Sequence, residues 1–225
     1  MNIILHEIED SENIYNKIGL ACYICTHSNI DNFKNLSNQE IKNLVKRVIS
    51  KGHLSVLRHC NFTFEIQNCS RVLTHQLVRH QAGFGFSQQS LRYTKIDSEN
   101  SDFYVIPETI KKSCFLSNYK SLLREIQSLY LDMIDDGIEA EDARYILPIG
   151  VKTNILFSAN GESLYNFFKS RCCMRAQLEI RSMAKQIQKL MEEKYPYIFF
   201  NTGPDCKNCK EKCKKGEHIK EDNSK

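Results

Sequence analysis

The chain has 225 residues, 31 Lys and Arg against 27 Asp and Glu, a net charge of +4, and an apolar fraction of 41% that includes twelve Phe and ten Tyr. Such a length suits one large domain with or without a tail. The small net charge gives no whole-molecule case for nucleic acid as a partner, and no apolar run approaches the ~18 residues of a membrane span. The opening "MNIILHEIED" turns acidic after a short apolar run, which is wrong for a signal peptide. The expected location is therefore cytoplasmic, with the ten cysteines mostly reduced thiols.

In chain order, "NIILHEI" reads as a strand and "SENIYNKIGLACYIC" as a helix capped by Ser11, with Cys22 and Cys25 as small buried thiols. Ser37 and Glu40 make a capping box ahead of Ile41, Leu44, Val45, Val48 and Ile49 at helical spacing, stopped at Gly52. "NFTFEIQ" alternates Phe62, Phe64 and Ile66 with polar residues, the pattern of a strand with one buried face. Ser70 caps a helix from Arg71 to about Gln81, after which Gly83 and Gly85 open a loop. A single long amphipathic helix is expected over 108–136, closed by Gly137. "AEDARYIL" is a shorter helix before Pro148, "KTNILFSAN" a strand, and Asn160 caps "GESLYNFFKSR". "RAQLEIRSMAKQIQKLMEEKY" is a last long helix. Elements interspersed without a regular βαβ rhythm predict an α+β fold, a mixed sheet packed with long helices. The domain is expected over 1–202. Residues 203–225 turn to Lys, Glu and Cys and read as an appended tail.

Three clusters carry chemistry. On the predicted helix from Arg71, residues Gln76, Arg79 and His80 fall at i, i+3, i+4 and share a face. The segment after it adds Ser87, Gln88, Gln89, Ser90 and Arg92, a donor-rich run suited to a phosphorylated ligand. "GFGFSQQ" lacks the third glycine of a dinucleotide fingerprint. The second cluster interleaves Asn160, Asn166, Arg171, Arg175, Gln177 and Arg181 with apolar residues, and Arg171 adjoins Cys172 and Cys173, whose thiol pKa a neighbouring cation would lower. The third is "KGHLSVLRH", with His53, Ser55 and His59. In the tail, Cys206, Cys209 and Cys213 with His218 beyond have spacing that suits either a zinc site or a metal-free thiol cluster. No metal is expected at the catalytic residues. Residues 205–225 carry seven Lys against five acids and no aromatics for base stacking, so nucleic acid is not an expected partner.

"RHQAGFGFSQQSLRY" resembles the signature of flavin-dependent thymidylate synthases, an Arg-His-Arg followed by seven residues and Ser, with Arg-Tyr two positions on. "GHLSVLRHCNFTFEI" resembles that family's Gly-His-x-Ser-x-x-Glu-His-x-x-Phe-Thr-Phe segment, and "ARYILP" and "NGESLYNFFKSRCCMRAQLEIR" its later blocks. The four blocks run in order over about residues 1–200. The resemblance implies a homotetramer with active sites at subunit junctions. It also implies methylation of dUMP to dTMP, with 5,10-methylenetetrahydrofolate as carbon donor and FAD, reduced by NADPH, as hydride source. By the same resemblance Ser55, Arg79, His80, Gln81, Gln88, Asn160 and Asn166 would contact FAD. Gln76, Arg79, Gln88, Gln89, Ser90, Leu91, Arg92, Arg144 and Arg171 would hold dUMP, with Arg171 the catalytic arginine that polarises the uracil. A related flavin-dependent enzyme methylating or hydroxymethylating another pyrimidine nucleotide is the alternative. The sequence departs from the pattern at four places. Gln81 stands for the third residue of Arg-His-Arg, and Ser90 follows eight residues rather than seven. Glu162 stands where an arginine is often found near the flavin, and Arg58 replaces the glutamate before His59.

Overall fold

In the computed structural model the described residues are 1–6, 10–95, 103–204 and 206. They form β1 (Asn2–His6), α1 (Ser11–Ile24), α2 (Asn38–Ser50), β2 (Asn61–Ser70), α3 (Arg71–Leu77), β3 (Phe84–Gln88), α4 (Glu108–Lys111), α5 (Leu116–Asp135), α6 (Ala140–Ala143), β4 (Lys152–Asn160), α7 (Gly161–Arg171) and α8 (Leu178–Lys194). Short 3-10 turns cover Ile30–Asn35, Leu54–His59 and Arg144–Ile146.

The four strands make one sheet in the order β1-β2-β4-β3. It is antiparallel rather than the expected mixed sheet. The Asn160 amide donates to the Gly83 carbonyl at 3.1 Å and the Gln89 amide to the Asn154 carbonyl at 2.9 Å, so β3 and β4 run opposite ways. The Gly161 amide to the Cys60 carbonyl and the Arg71 amide to the Val151 carbonyl bracket β2 and β4 in the same sense.

Local chemistry sets several element ends. Ser37 and Glu40 close the capping box expected at the start of α2. The cap of α1 is Asp10, not Ser11, because its carboxylate accepts from the Asn13 amide at 2.8 Å. The single helix expected over 108–136 is broken into α4 and α5. Ser113 causes the break, its hydroxyl donating to the Ile110 carbonyl and accepting from the Phe115 amide, bonds that compete with the helical ladder. Helix α3 stops at Leu77, four residues short of the expected end, with Val78 as its cap. Arg79 and His80 therefore lie beyond it, and the shared helix face with Gln76 does not form. Residues 84–88, expected as loop, are strand β3: Phe84, Phe86 and Gln88 are half-buried while Gly85 and Ser87 are exposed.

By contact density the chain divides into two compact units, each built around its own core. The first comprises Met1–Asn2, Glu65–Arg79 and Phe86–Leu156. Its core gathers Tyr104, Leu123, Tyr130, Ala143 and Val151, with Leu91, Ile146 and Leu147 packed against them. The second comprises Ile3–Phe64, His80–Gly85 and the chain from Phe157. Here Phe64 stacks on Phe157 at 5.1 Å, and Phe199 meets Phe62 and Phe168 edge-on. Helices α1 and α2 touch closely at Gly19, where an added Cβ would lie 2.5 Å from the Ile41 side chain. The chain after α8 is tied back by Thr202, which accepts from Gln188 and donates to Glu192 at 3.0 Å. Of the tail cysteines only Cys206 is described; Cys209 and Cys213 lie outside the described residues.

Candidate active site

In the second unit, residues 80–85 are clasped along helix α7. At the start of the helix Asn160 is the cap, its side-chain oxygen accepting from the Ser163 amide at 2.9 Å while its own amide donates to the Gly83 carbonyl. The Ser163 hydroxyl donates to the Ala82 carbonyl at 2.8 Å. Gly83 has φ +72, and a Cβ there would fall 2.3 Å from both Asn160 Nδ2 and Ser163 Oγ. The position thus requires glycine for its backbone and for its space.

At the other end of α7, Arg171 donates from Nε to Nε2 of His80 at 2.8 Å. The His80 ring also stands edge-on to Phe167 at 5.1 Å and tilted to Phe84 at 5.8 Å. Burial, and next the Arg171 cation, push the His80 pKa below its ordinary value. Burial likewise lowers the pKa of Arg171, though not enough to discharge a guanidinium. The expected catalytic arginine is therefore fixed by one of the expected flavin-contacting residues. Gln81 is exposed, and its carbonyl accepts from the Phe84 amide. Cys172 reverses the expected effect of its charged neighbour: it is buried, and burial raises its thiol pKa to about 11. Cys25, expected to be buried, is exposed. Arg181 is spent on structure, donating to the Met174 carbonyl between α7 and α8.

Ser55 lies on a cleft of about 590 Å³ in the same unit, lined by Thr26, His27, Arg47, Lys51 and His53 with the thiols of Cys22 and Cys25. Among the described residues no carboxylate lines it. Asn166 is exposed and lines a separate cleft of about 240 Å³ with Tyr165, Lys169 and Phe200. The two charged departures from the family pattern meet each other, since Arg58 donates from Nε to the Glu162 carboxylate in an ion pair.

The remaining candidates belong to the first unit. Gln89 pairs with Asn154 through both main chain and side chain, and Gln88 reaches the Thr153 hydroxyl at 3.4 Å. The Ser90 hydroxyl accepts from the Arg92 amide, and the Ser90 carbonyl accepts from Thr94, forming a compact turn. Leu91 anchors that turn in the core. Arg92 is paired with Glu141 at 2.6 Å, and Arg144 donates from Nε to the Glu141 carbonyl at 3.0 Å. Gln76 bonds back to the Val72 carbonyl of its own helix, and Arg79 is exposed.

Three residues in these clusters escaped the sequence reading: Ser163, Glu141 and Arg71, whose Nη2 donates to the Gln89 carbonyl at 2.9 Å. Arg71 left a signal, because a cation in the first turn of a helix faces the positive end of the dipole and is placed there against local preference. Ser163 and Glu141 left none, since the side-chain partners that place them here, the Ala82 carbonyl and Arg92, are distant in sequence.

Among the described residues no helix is long and apolar enough to cross a membrane. The family described as "Thymidylate synthase complementing protein" matches residues 4–197. A Pyrococcus furiosus protein named flavin-dependent thymidylate synthase is 44% identical over 165 residues, 72% of this chain and 66% of its own length, just under two thirds. Proteins of the same name from Pyrococcus abyssi and Geobacter sulfurreducens are 41% and 36% identical, over 78% and 84% of this chain and 74% and 82% of theirs. On a match spanning nearly all the described residues, with relatives at this identity, the chain belongs to the thymidylate synthase complementing protein family, to which proteins named flavin-dependent thymidylate synthase are its relatives.

Proposed function

We propose that the chain is a flavin-dependent thymidylate synthase, methylating dUMP reductively to dTMP with 5,10-methylenetetrahydrofolate as carbon donor and FAD, reduced by NADPH, as hydride source. The observation that carries this reading is the clasp of residues 80–85 on α7, which ends in the Arg171–His80 bond. Uracil becomes nucleophilic at C5 only as charge is pushed into its ring. A guanidinium stabilises that charge best when it is fixed and partly dehydrated. His80 fixes Arg171 by accepting from Nε, and burial supplies the dehydration. Arg171 is the catalytic residue in this reading, and His80 sets its orientation.

FAD supplies the redox chemistry when bound, and the protein binds and orients it. The cleft at Ser55 suits an anionic cofactor, because Arg47, Lys51 and two histidines line it with no carboxylate among the described residues. Ser55, Arg79, His80, Gln81, Gln88, Asn160 and Asn166 are the proposed flavin contacts. Asn160 has only its amide nitrogen to offer, its oxygen being the cap of α7. For dUMP, Arg92 and Arg144 meet the phosphate, while Gln76, Arg79, Gln88, Gln89, Ser90 and Leu91 complete the pocket. Neighbouring copies in a homotetramer complete each site. In support, Phe115, Leu122 and Leu129 of the first unit are 69%, 55% and 48% exposed, an apolar surface suited to another subunit.

The test is purification followed by a visible spectrum and an assay of the nucleotide product. A flavin band and formation of dTMP from dUMP support the reading. A colourless protein, or a hydroxymethylated product, overturns it, the latter in favour of the related enzyme class.

A further inference from the structure

Gln89 is held through all its polar groups but one. Its main-chain amide donates to the Asn154 carbonyl at 2.9 Å, and its carbonyl accepts from Arg71 Nη2 at 2.9 Å. Its side-chain Oε1 accepts from Asn154 Nδ2 at 3.1 Å. The Nε2 donor alone has no partner among the described residues. An amide side chain can sit either way round unless a neighbour fixes it. Here the neighbour is a main-chain N–H, because the Asn68 amide donates to Asn154 Oδ1 at 2.9 Å. A backbone N–H only donates, so the Asn154 atom that meets it is the oxygen. Asn154 then turns its NH2 to Gln89, and the Gln89 NH2 is left over. Asn68 itself has φ 55, the one residue other than glycine with positive φ among the described residues. Left-handed backbone within β2 is strain that the surrounding structure must hold in place.

Gln89, Asn154 and Asn68 line one cleft of about 140 Å³ in the first unit, beside apolar Leu91 and Phe103 and cationic Lys95 and Lys152. Apolar walls, positive charge and one directed donor suit an anionic ligand that bears a flat ring. We propose that Asn154 is a positioning residue for the substrate's base: it fixes Gln89 as a donor to the C4 carbonyl of uracil and so sets a preference for uracil over cytosine. The inference rests on the reading of dUMP as substrate and adds to it Asn154 and the Asn68 N–H, which lie outside the resemblance. A phosphate accepts on every oxygen and would turn any free amide towards itself, so fixing the amide's polarity achieves nothing there. A pyrimidine edge mixes donors with acceptors, and cytosine carries an amine where uracil has the C4 carbonyl. The Gln89 donor pairs with the carbonyl but faces the amine donor to donor, which leaves both without a partner.

Calorimetric titration of the full-length protein with dUMP and with dCMP, at fixed ionic strength, tests this. Wild-type protein is expected to bind dUMP about tenfold or more tightly than dCMP. Asn154→Asp still accepts from the Asn68 N–H but cannot donate, so the Gln89 amide turns over and presents its oxygen. The preference for dUMP should then fall about tenfold, the added charge acting on both nucleotides alike and cancelling in the ratio. In a Gln89→Ala background Asn154→Asp should leave the ratio unchanged, since its effect runs through Gln89. Equal losses for both nucleotides would make Asn154 a support for the strand pair and overturn the proposal. An unchanged ratio, or a change that persists in the Gln89→Ala background, overturns it as well. If Asn154→Asp does not fold, Gln89→Glu decides, because it offers acceptors only: a lowered ratio supports the proposal and an unchanged one overturns it. Wild-type protein that binds both nucleotides equally overturns the proposal alone, whereas wild-type protein that binds neither overturns the dUMP reading and the proposal with it.

Discussion

Arg171 Nε lies 2.8 Å from His80 Nε2, with the arginine as donor. An imidazole nitrogen that accepts carries no proton, so His80 is neutral with its hydrogen on Nδ1. Its pKa is held below the ordinary 6.5 by burial and by the Arg171 charge. The sign follows from linkage. Below about pH 6.5 the unfolded chain takes up a proton before the folded chain does, so stability falls as pH drops from 6.5 towards the lowered folded value. Protonation also removes the acceptor and releases Arg171. We therefore expect an acid limb in kcat/KM lying below pH 6.5, with parallel loss of thermal stability. His80→Gln, whose amide oxygen accepts without titrating, should flatten that limb while keeping most activity at pH 7.5. A limb that persists in His80→Gln assigns the titration to another group.

Gly83 is predicted to be the least replaceable glycine of the clasp. Gly83→Ala adds a methyl 2.3 Å from Asn160 Nδ2 and Ser163 Oγ in a left-handed backbone. It should cost about 2 kcal/mol or more, measured by urea unfolding. Gly85 makes the control, because nothing lies within 4 Å of its added Cβ and its φ is ordinary, so Gly85→Ala should be close to neutral.

These two glycines also show what the sequence could and could not convey. Both read as loop residues, yet Gly85 sits inside β3, whose period-2 pattern of Phe84, Phe86 and Gln88 was present and hidden by the glycines' weak strand preference. The capping box of α2, the Asn160 cap and strand β4 were legible because their signals are local. The end of α3 was not. His80 packs its ring against Phe167, 87 positions later, and that tertiary contact outweighs the propensity to continue the helix. The same holds for the candidate site. Its residue types were visible in the sequence, but the Arg171–His80 bond and the clasp of Ala82 by Ser163 depend on pairings between distant segments.

Arg58 and Glu162, each a departure from the family's pattern, compensate each other as an ion pair. Glu162→Arg alone should lower the melting temperature and flavin content, since it sets two guanidiniums together. Arg58→Glu with Glu162→Arg reverses the pair and should restore both. The relevant measurement is the coupling in a double-mutant cycle. Additive losses would mean that the two charges act separately and that their pairing carries no structural information.

The nucleophile question separates two ways of activating the uracil ring. Cys172 adjoins Arg171 and invites assignment as a thiol attacking the uracil ring. Its side chain is 3% exposed, and burial raises its pKa to about 11, so at neutral pH almost none is thiolate. Arg171, by contrast, is held in orientation by His80 and keeps its charge. Cys172→Ala should therefore lose about 1 kcal/mol of stability from the void it leaves and retain substantial turnover. Cys173→Ala should behave likewise in turnover. Arg171→Ala should lose about 2.7–4 kcal/mol of transition-state stabilisation, the scale of one removed oxyanion donor, appearing in kcat while flavin content survives. Arg171→Lys should recover little, because an ammonium cannot give the planar fork that the proposed role requires, pairing with His80 while leaving donors for the ring. A dead Cys172→Ala enzyme with normal flavin content, beside an active Arg171→Ala enzyme, would assign the chemistry to the thiol and overturn the electrostatic mechanism.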